Sequence, residues 1–216
     1  MDRIPATPSW LQAVSRAPVR WWLRLDVEDV GRLPASGPVI VASHHRSHLD
    51  SVVLGATAQR RLTFLGSAHL AAPPVIGSLL QWGGMMQVQR GSGETDVLER
   101  CVEVLDRGGA LVIFPEGGRS RDGQVYRPRS GVARIASAAG CPVVPVGING
   151  TAEAWPVDRF PRLLTRHDVR VAFGEPLDAP EDDPAERSRF ADRLHDALVE
   201  LSDAPRADGL NLGTSA

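Results

Sequence analysis

PVIVASHHRSHLD, residues 38–50, decides the fold of this chain, because an apolar run passes through a polar loop into the start of a helical pattern. The run Pro38–Ala42 has the length and β-branched composition of a buried strand. A helical pattern follows from Leu49 to Gln59. The loop between them contains His44, His45 and His48, so the strand is expected to deliver a polar cluster to one edge of a sheet.

His45 and Asp50 suit general acid–base chemistry if His45 lies outside the helix. One regular helix would turn the two side chains about 140° apart, and they could not meet. Ser47 and Asp50 match the capping pattern Ser-x-x-Asp, which starts the helix near Ser47 and leaves His45 on the incoming loop. From there Asp50 can reach back to one ring nitrogen, and the other nitrogen can face a substrate hydroxyl.

Two other interpretations of this loop stay open from the segment alone. Its histidines and Asp50 offer metal-ligand atoms, although their spacing matches none of the familiar zinc signatures. We therefore expect no metal. The loop also fits a polar strand-to-helix turn without chemistry, and the rest of the chain has to decide between the two.

A second segment, LVIFPEGGRSR at residues 111–121, has the composition of an anion-binding loop. Its apolar run stops at Pro115 and opens into Gly117 and Gly118, which Glu116 and Arg119 flank. Glycine lets backbone amides approach a phosphate closely, and arginine offers a planar fork that matches phosphate oxygens. An ordinary turn at the end of a strand is the alternative.

Two further segments are weaker when each is taken alone. Residues 83–91 form a glycine-strand-arginine unit that includes Gly84 and Arg90 and could bring a second guanidinium to the same pocket. Residues 141–148 contain Val144 and Pro145, and a proline in a short apolar run indicates an edge or bulged strand.

In this order the four segments resemble the glycerolipid acyltransferase family, whose members acylate glycerol 3-phosphate, lysophosphatidate and related acceptors. The resemblance covers about residues 38–150. The first block matches at His45, Ser47 and Asp50. The other three blocks match at Gly84 to Arg90, at Phe114-Pro115-Glu116-Gly117-Gly118-Arg119 and at Val144-Pro145-Val146.

The resemblance implies a role for each matched residue. His45 becomes the base and Asp50 the group that orients it. The residues that would bind the acceptor's phosphate are Arg90, Glu116, Gly117, Gly118 and Arg119. The implied donor is acyl-CoA or acyl-carrier protein as a co-substrate with no further cofactor, and the implied acceptor is a lysophospholipid of the lysophosphatidate type.

Three positions depart from the family pattern. His44 stands where asparagine is common, Gly118 where threonine is usual, and Gln87 where an aromatic residue is common. The first two changes leave the acid–base chemistry intact, and we expect them to remove side-chain hydrogen-bonding groups near the acceptor site. Together with Gln87 they make the acceptor the least determined part of the function.

The remaining patterns predict one α/β domain with a largely parallel mixed sheet flanked by helices, as the resemblance also implies. Residues 1–30 form an N-terminal amphipathic or lid segment, residues 31–205 the acyltransferase domain, and residues 206–216 a loose tail. Further strands are predicted at Arg61–Leu65, Ala110–Phe114, Pro142–Val146 and Val169–Phe173. Further helices are predicted at Asp96–Leu105, Gly131–Ala139 and Pro184–Leu201.

Composition limits the partners and the location. A formal net charge of −2 gives no bulk field for nucleic acid, and two cysteines without a signal peptide indicate a reducing cytosol. Residues 62–89 carry no formal charge, and Trp10, Trp21 and Trp22 alternate with arginines near the N-terminus. These segments fit either a membrane surface or packing over the sheet. We expect a cytoplasmic protein, peripheral on the inner face of the membrane.

The leading hypothesis is an O-acyltransferase of phospholipid synthesis in which His45 takes the proton of the acceptor hydroxyl. Acylation of another lysolipid or a polyol lipid is the alternative within the class. A lipid-binding relative without turnover and a thioester hydrolase are the rivals. Neither Cys101 nor Cys141 has the setting of a nucleophile, since both lie in apolar patterns.

Overall fold

The computed structural model describes residues 9–67, 84–88, 94–156, 160–162 and 164–211. The strands are β1 (Asp26–Glu28), β2 (Val39–Ser43), β3 (Leu62–Ser67), β4 (Met85–Val88), β5 (Ala110–Ile113), β6 (Val143–Asn149) and β7 (Arg170–Phe173). The helices are α1 (Ser9–Trp22), α2 (Leu49–Thr57), α3 (Glu94–Asp106), α4 (Ser130–Ala139), α5 (Thr151–Ala154) and α6 (Pro184–Glu200), with a 3-10 turn at Val30–Arg32.

The described strands form one sheet in the order β1-β7-β6-β2-β5-β3-β4. Every neighbouring pair is parallel except β6 and β7. This confirms the predicted α/β class with a largely parallel mixed sheet. The carboxyl ends of β2 and β5 lie side by side, so the two loops with the chemical signals meet at one edge of the sheet.

Two apolar layers cover the sheet, and β2 shows how. All five of its residues are buried; Val39 and Val41 belong to the core beneath α1 and α2, and Ile40 and Ala42 to the core beneath α3, α4 and α6. Successive side chains of a strand point to opposite faces, so a strand buried on both faces must be apolar throughout. The central strand is therefore rigid on both sides up to the loop that carries His45.

Pro145 does not mark an edge strand, so that alternative was wrong: β6 lies between β2 and β7. The register changes beside it, however. Val143 bridges to Leu177 and Val146 pairs with Phe173, so three steps along β6 oppose four on its partner, and the extra residue lies on the partner segment and not on β6. Pro145 has no N–H to donate and sits at this interruption, where its carbonyl accepts the Gly174 N–H at 2.8 Å.

Both predicted domain boundaries need correction. Asp26–Glu28 is a strand of the sheet, and Leu23 and Leu25 are buried in the core, so the domain begins before residue 31. At the other end, Ala207 donates its backbone N–H to Val125 O at 2.9 Å and Asn211 is buried against the loop after β5. Residues 206–211 therefore pack against the domain, and residues 212–216 lie outside the described residues.

No helix in the described part of the chain is long and apolar enough to cross a membrane. The N-terminal helix α1 lies on α2, where Arg16 Nη2 donates to Ala58 O at 2.5 Å. Val19 and Trp22 pack against the core. One face of α1 thus packs as the lid interpretation expected. Most of the uncharged segment 62–89, namely residues 68–83 and 89, lies outside the described residues.

Candidate active site

The candidate site is the loop at residues 44–48, between β2 and α2. The N-cap of α2 is His48 and not Ser47 as predicted. The predicted contacts are nevertheless formed just before the helix: the Asp50 carboxylate accepts the Ser47 N–H at 2.8 Å, and the Ser47 hydroxyl accepts the Leu49 N–H at 3.1 Å. The Ser47 hydroxyl also donates to Trp155 O at 2.7 Å. These bonds fix the C-terminal end of the loop, and His45 lies just outside the helix as predicted.

The predicted contact between His45 and Asp50 is confirmed. His45 Nδ1 lies 2.8 Å from Asp50 Oδ2, and the carboxylate is only 1% exposed. The same oxygen accepts the backbone N–H groups of Arg46 and Ser47, each at 2.8 Å. Because three donors converge on one carboxylate oxygen, the His45 ring is held with Nδ1 toward Asp50.

Thr151 is a site residue that the sequence interpretation missed. Its hydroxyl donates to Asp50 Oδ1 at 2.6 Å, and its side chain is buried. Burial alone raises the pKa of Asp50, but the hydrogen bonds from His45, Thr151 and Ser47 outweigh it and leave that pKa below its ordinary value. Asp50 is therefore a carboxylate at neutral pH, with both oxygens engaged.

The outer side of the His45 ring is open. The ring stacks on Phe114, with 3.9 Å between ring centroids and 15° between planes, and 17% of the side chain is exposed. In the described part of the chain Nε2 has no hydrogen-bond partner. Since Nδ1 faces a carboxylate, the neutral ring presents a lone pair at Nε2. Phe114 restricts ring rotation, so this nitrogen points out of the loop.

Glu116 differs from what the resemblance implied. It is 0% exposed, and its two oxygens accept the backbone N–H groups of His45 (3.1 Å) and Tyr126 (3.2 Å). Burial raises its pKa to about 7. A carboxylate with no exposed surface and both oxygens in use cannot hold an acceptor's phosphate. Glu116 instead fixes the His45 backbone to the loop after β5.

Arg119 is the described cation at the mouth of the site. Its Nη1 lies 2.7 Å from His48 Nδ1, and the His48 ring packs against Trp155 with centroids 5.1 Å apart. Arg119 thus contacts the loop of the candidate base through His48, three residues after His45. Arg90, the other arginine expected to bind phosphate, lies outside the described residues; β4 ends at Val88.

The other motif residues shape the loop after β5. Gly117 has φ +81°, and a Cβ there would collide with the Arg129 side chain. The Arg129 N–H donates to Pro115 O at 2.8 Å, and Gly118 O accepts from Asn211 at 3.4 Å. Neither glycine has a side chain, so only their backbone groups could bind a phosphate, and that binding stays a prediction.

Gly84 and Val144 have structural roles among the described residues. Gly84 has φ +93° and its carbonyl accepts the Phe64 N–H at 2.8 Å, which joins β3 to the start of β4. Val144 is fully buried in the core beneath α1 and α2. Neither contacts His45 or Arg119 in any described interaction.

His44 points away from the acceptor region. It is 1% exposed, its Nε2 accepts the Ile148 N–H at 2.9 Å, and burial lowers its pKa to about 4. It is therefore neutral and joins β2 to β6. The expectation that His44 removes a hydrogen-bonding group from the acceptor site was wrong, because its side chain enters the core behind the loop.

The two cysteines are buried and not disulfide-bonded. Burial raises the pKa of Cys101 to about 12 and that of Cys141 to about 11. A thiol with such a pKa has almost no thiolate at neutral pH, and the thiolate is the nucleophile. Neither residue can form an acyl-enzyme efficiently.

A polar cavity of about 470 Å³ opens behind the loop, at the end of the sheet where β6 stops and β7 begins. Arg46 follows His45 directly and lines this cavity, and its Nε is buried without a hydrogen-bond partner in the described part of the chain. The cavity has mixed charge. Its other charged residues are Arg24, Asp26, Glu153, Asp168, Arg170 and Asp203.

Comparison with known proteins places this geometry in context. A family model described as Acyltransferase matches residues 24–149. The chloroplastic 1-acyl-sn-glycerol-3-phosphate acyltransferase BAT2 of Brassica napus is 32% identical over 157 residues, which cover 71% of this chain and 45% of that protein. The chain therefore spans less than half the length of this relative.

Two bacterial proteins extend the comparison. The lyso-ornithine lipid O-acyltransferase of Pseudomonas aeruginosa is 33% identical over 195 residues, covering 80% of this chain and 74% of that protein. The crystal structure of the 1-acyl-sn-glycerophosphate acyltransferase PlsC from Thermotoga maritima matches with a TM-score of 0.73 at 24% identity, over 89% of this chain and 78% of that one. At that identity the structural match supports the fold.

Proposed function

Since the chain belongs to the acyltransferase family, as its motifs predicted, we propose that it transfers a fatty acyl group from a thioester donor to the hydroxyl of a lysolipid. One observation carries this proposal. His45 is held through Nδ1 by a buried carboxylate and leaves Nε2 without a hydrogen-bond partner among the described residues. A histidine so oriented is a general base, and a lipid-binding protein without turnover has no need of one.

The chemistry follows from the position of the proton. His45 Nε2 removes the proton of the acceptor hydroxyl as that oxygen attacks the thioester carbonyl. The tetrahedral intermediate collapses and expels the thiolate, which receives the proton back from His45. The products are the ester and a free thiol. Asp50 stays ionised and stabilises the imidazolium, since its pKa is already lowered.

We assign the donor as acyl-CoA or acyl-carrier protein and the leading acceptor as a lysophosphatidate. Arg119 supplies a positive charge at His48, on the loop that carries the base, and a charge-assisted hydrogen bond to phosphate contributes about 1.5–3 kcal/mol. Arg90 is proposed as its partner. Both donors are cytosolic thioesters, so we place the protein on the inner face of the membrane.

A second acceptor is favoured by the cavity that Arg46 lines. Two of its three arginines already pair with carboxylates, Arg24 with Asp168 (3.1 Å) and Arg170 with Asp203 (3.5 Å). Arg46 remains to meet the carboxylate of a zwitterionic headgroup, and Asp26 or Glu153 to meet its ammonium group. The Pseudomonas relative acts on a lyso-ornithine lipid. A lysolipid with an amino-acid headgroup is therefore the second candidate.

The test is product identification with competing acceptors. Purified protein receives radiolabelled palmitoyl-CoA with lysophosphatidate and lyso-ornithine lipid together, and the products are separated and counted. Labelled phosphatidate supports the leading proposal, and labelled ornithine lipid supports the second. Labelled free palmitate alone identifies a thioester hydrolase. The absence of any product with either thioester donor would leave a lipid-binding relative as the better description.

A further inference from the structure

Residues 205–211, the C-terminal segment, run parallel to residues 125–129 and pair with them. Three backbone hydrogen bonds of 2.9–3.0 Å join the two segments: Val125 N–H to Pro205 O, Ala207 N–H to Val125 O and Arg127 N–H to Gly209 O. The pairing advances by two residues at each step. One further step brings Asn211 opposite Arg129, whose Nη2 donates to Asn211 O at 2.8 Å.

Arg129 ties this pair of segments to the glycine loop after β5. Its Nε donates to Glu116 O at 3.2 Å. Its side chain lies so close to Gly117 that a Cβ there would be 2.4 Å from Nε. Asn211 adds a hydrogen bond from Nδ2 to Gly118 O at 3.4 Å. The middle of the loop is therefore held from the side of the C-terminal segment.

The two ends of the same stretch are attached to the loop of the candidate base. The Glu116 carboxylate accepts the His45 N–H at 3.1 Å, and the Ser120 N–H donates to His45 O at 2.7 Å. Residues 117–119, which are expected to bind phosphate, span the distance between these two anchors. A change at Arg129 should therefore displace the phosphate-binding groups and leave the base in place.

Two backbone carbonyls of the loop point toward the C-terminal segment, and this sets the direction of the amides beside them. The two contacts are Glu116 O with Arg129 and Gly118 O with Asn211. In a trans peptide the N–H points opposite to the C=O, so the N–H groups that follow these carbonyls point away from the segment. A loop that turns several N–H groups to one side offers a concave site for an anion. The contacts of Arg129 and Asn211 therefore favour the arrangement that a phosphate needs.

We propose that Arg129 is a positioning residue for the phosphate of the acceptor and that Asn211, on the C-terminal segment, supports it. The ligand is a phosphomonoester bound by residues 117–119, whose backbone Arg129 holds from the other side. Residues 205–211 thereby belong to the acceptor site, although they are remote from it in sequence. This inference deepens the proposed function and rests on it for the role of the loop.

Initial-rate kinetics with lysophosphatidate and palmitoyl-CoA test the proposal. Arg129→Met keeps an unbranched side chain but loses both bonds to backbone carbonyls. Partners that orient a binding group typically contribute about 10- to 100-fold, so the KM for lysophosphatidate should rise about tenfold while kcat stays within about twofold of wild type. Asn211→Ala loses one long hydrogen bond and should raise the same KM about threefold. Neither variant should change the KM for palmitoyl-CoA.

A charge contact and a general loss of stability would give different results. Arg129→Lys keeps the positive charge but lacks the planar fork that reaches two carbonyls, so it should behave like Arg129→Met. With monopalmitoylglycerol, an acceptor without phosphate, Arg129→Met should have the KM of wild type. In an Arg119→Ala background Arg129→Met should raise the KM for lysophosphatidate by less than about twofold, because the guanidinium that it positions is absent.

Matched controls keep the result specific. Arg189→Met removes an exposed arginine of α6, and Asp208→Ala removes an exposed side chain of the C-terminal segment itself. Both variants should keep the wild-type KM for lysophosphatidate. Thermal unfolding of every variant shows whether a change in KM comes with a change in stability.

The proposal is overturned if Arg129→Met keeps the wild-type KM for lysophosphatidate, if Arg129→Lys restores that KM, or if the KM for palmitoyl-CoA rises instead. A full additional effect in the Arg119→Ala background also overturns it. A wild-type protein that produces no acylated lipid would contradict the proposed function. Equilibrium binding of radiolabelled lysophosphatidate to wild type and Arg129→Met in detergent then decides this inference: weaker binding by the variant supports it, and equal affinities overturn it.

Discussion

Removing the Thr151 hydroxyl should uncouple the acid–base pair without removing either of its members. Thr151→Val keeps the shape of the side chain but leaves Asp50 Oδ1 without the donor now 2.6 Å away. Both residues are about 1% exposed, so water cannot replace the lost bond without rearrangement. Hydrogen bonds to charged groups contribute about 1.5–3 kcal/mol, and we expect the free energy of unfolding at neutral pH to fall by about that amount.

The pH dependence of that loss has a definite sign. The folded pKa of Asp50 is below its ordinary value, so its contribution to stability is present above the unfolded pKa and is lost as pH falls through the folded pKa. Thr151→Val raises the folded pKa. The stability difference between variant and wild type should therefore be largest near pH 7 and shrink in acid.

The catalytic effect should be moderate, because Asp50 Oδ2 keeps its three donors. Residues that orient a functional group through a hydrogen bond typically contribute 10- to 100-fold, and we expect kcat to fall by about tenfold with an unchanged KM for the acceptor. Urea unfolding at two pH values and thiol-release kinetics give both quantities. Wild-type kcat in Thr151→Val, or failure of Thr151→Ser to restore it, would refute the reasoning.

The other predictions concern three further features of the site. Because burial raises the pKa of Glu116 to about 7, the contribution of this residue to the free energy of unfolding should fall by about 3 kcal/mol between pH 4.5 and 7. Buried His44, whose pKa is lowered to about 4, contributes in the opposite direction, so the quantity to measure by urea unfolding is the difference between wild type and Glu116→Gln, which should change with pH by that amount; a constant difference would contradict the assignment. Arg119→Ala should raise the KM for lysophosphatidate by about 10- to 100-fold and change kcat little, a split that initial-rate kinetics measures. An equal fall in kcat would place Arg119 in the chemical step instead. N-Ethylmaleimide should not label native Cys101 or Cys141 at neutral pH, and Cys101→Ala with Cys141→Ala should keep full activity; rapid labelling by mass spectrometry or lost turnover would reopen covalent catalysis.

Local patterns predicted the elements that carry His45 and Asp50. The run from Val39 to Ala42 is apolar on both faces, and the hydrogen bond between Ser47 and Asp50 joins neighbours in sequence, so strand, loop and helix could be inferred together. Thr151 could not, because 101 residues separate it from Asp50 and the two meet only where β6 lies beside β2. No pattern in the residues around Asp50 or Thr151 predicts that these two strands are neighbours in the sheet.

Burial explains the other errors. A glutamate at position 116 is as consistent with a phosphate-binding site as with a buried structural carboxylate. Only the fold shows that both of its oxygens accept backbone N–H groups. His44 was misplaced for the same reason, since successive residues of a loop can point to opposite sides of a sheet edge. Strand β1 contains one apolar residue between two acids and gave no periodic signal.

The central claim is that His45 is the general base of an acyl transfer. The most direct test measures thiol release from palmitoyl-CoA by purified protein in detergent, with and without lysophosphatidate or lyso-ornithine lipid. Wild type is compared with His45→Ala, after thermal unfolding has shown that the two proteins are equally stable. We predict release that requires an acceptor and falls by about 10²- to 10⁴-fold in His45→Ala. Acceptor-dependent release that persists in His45→Ala at the wild-type rate would contradict the account.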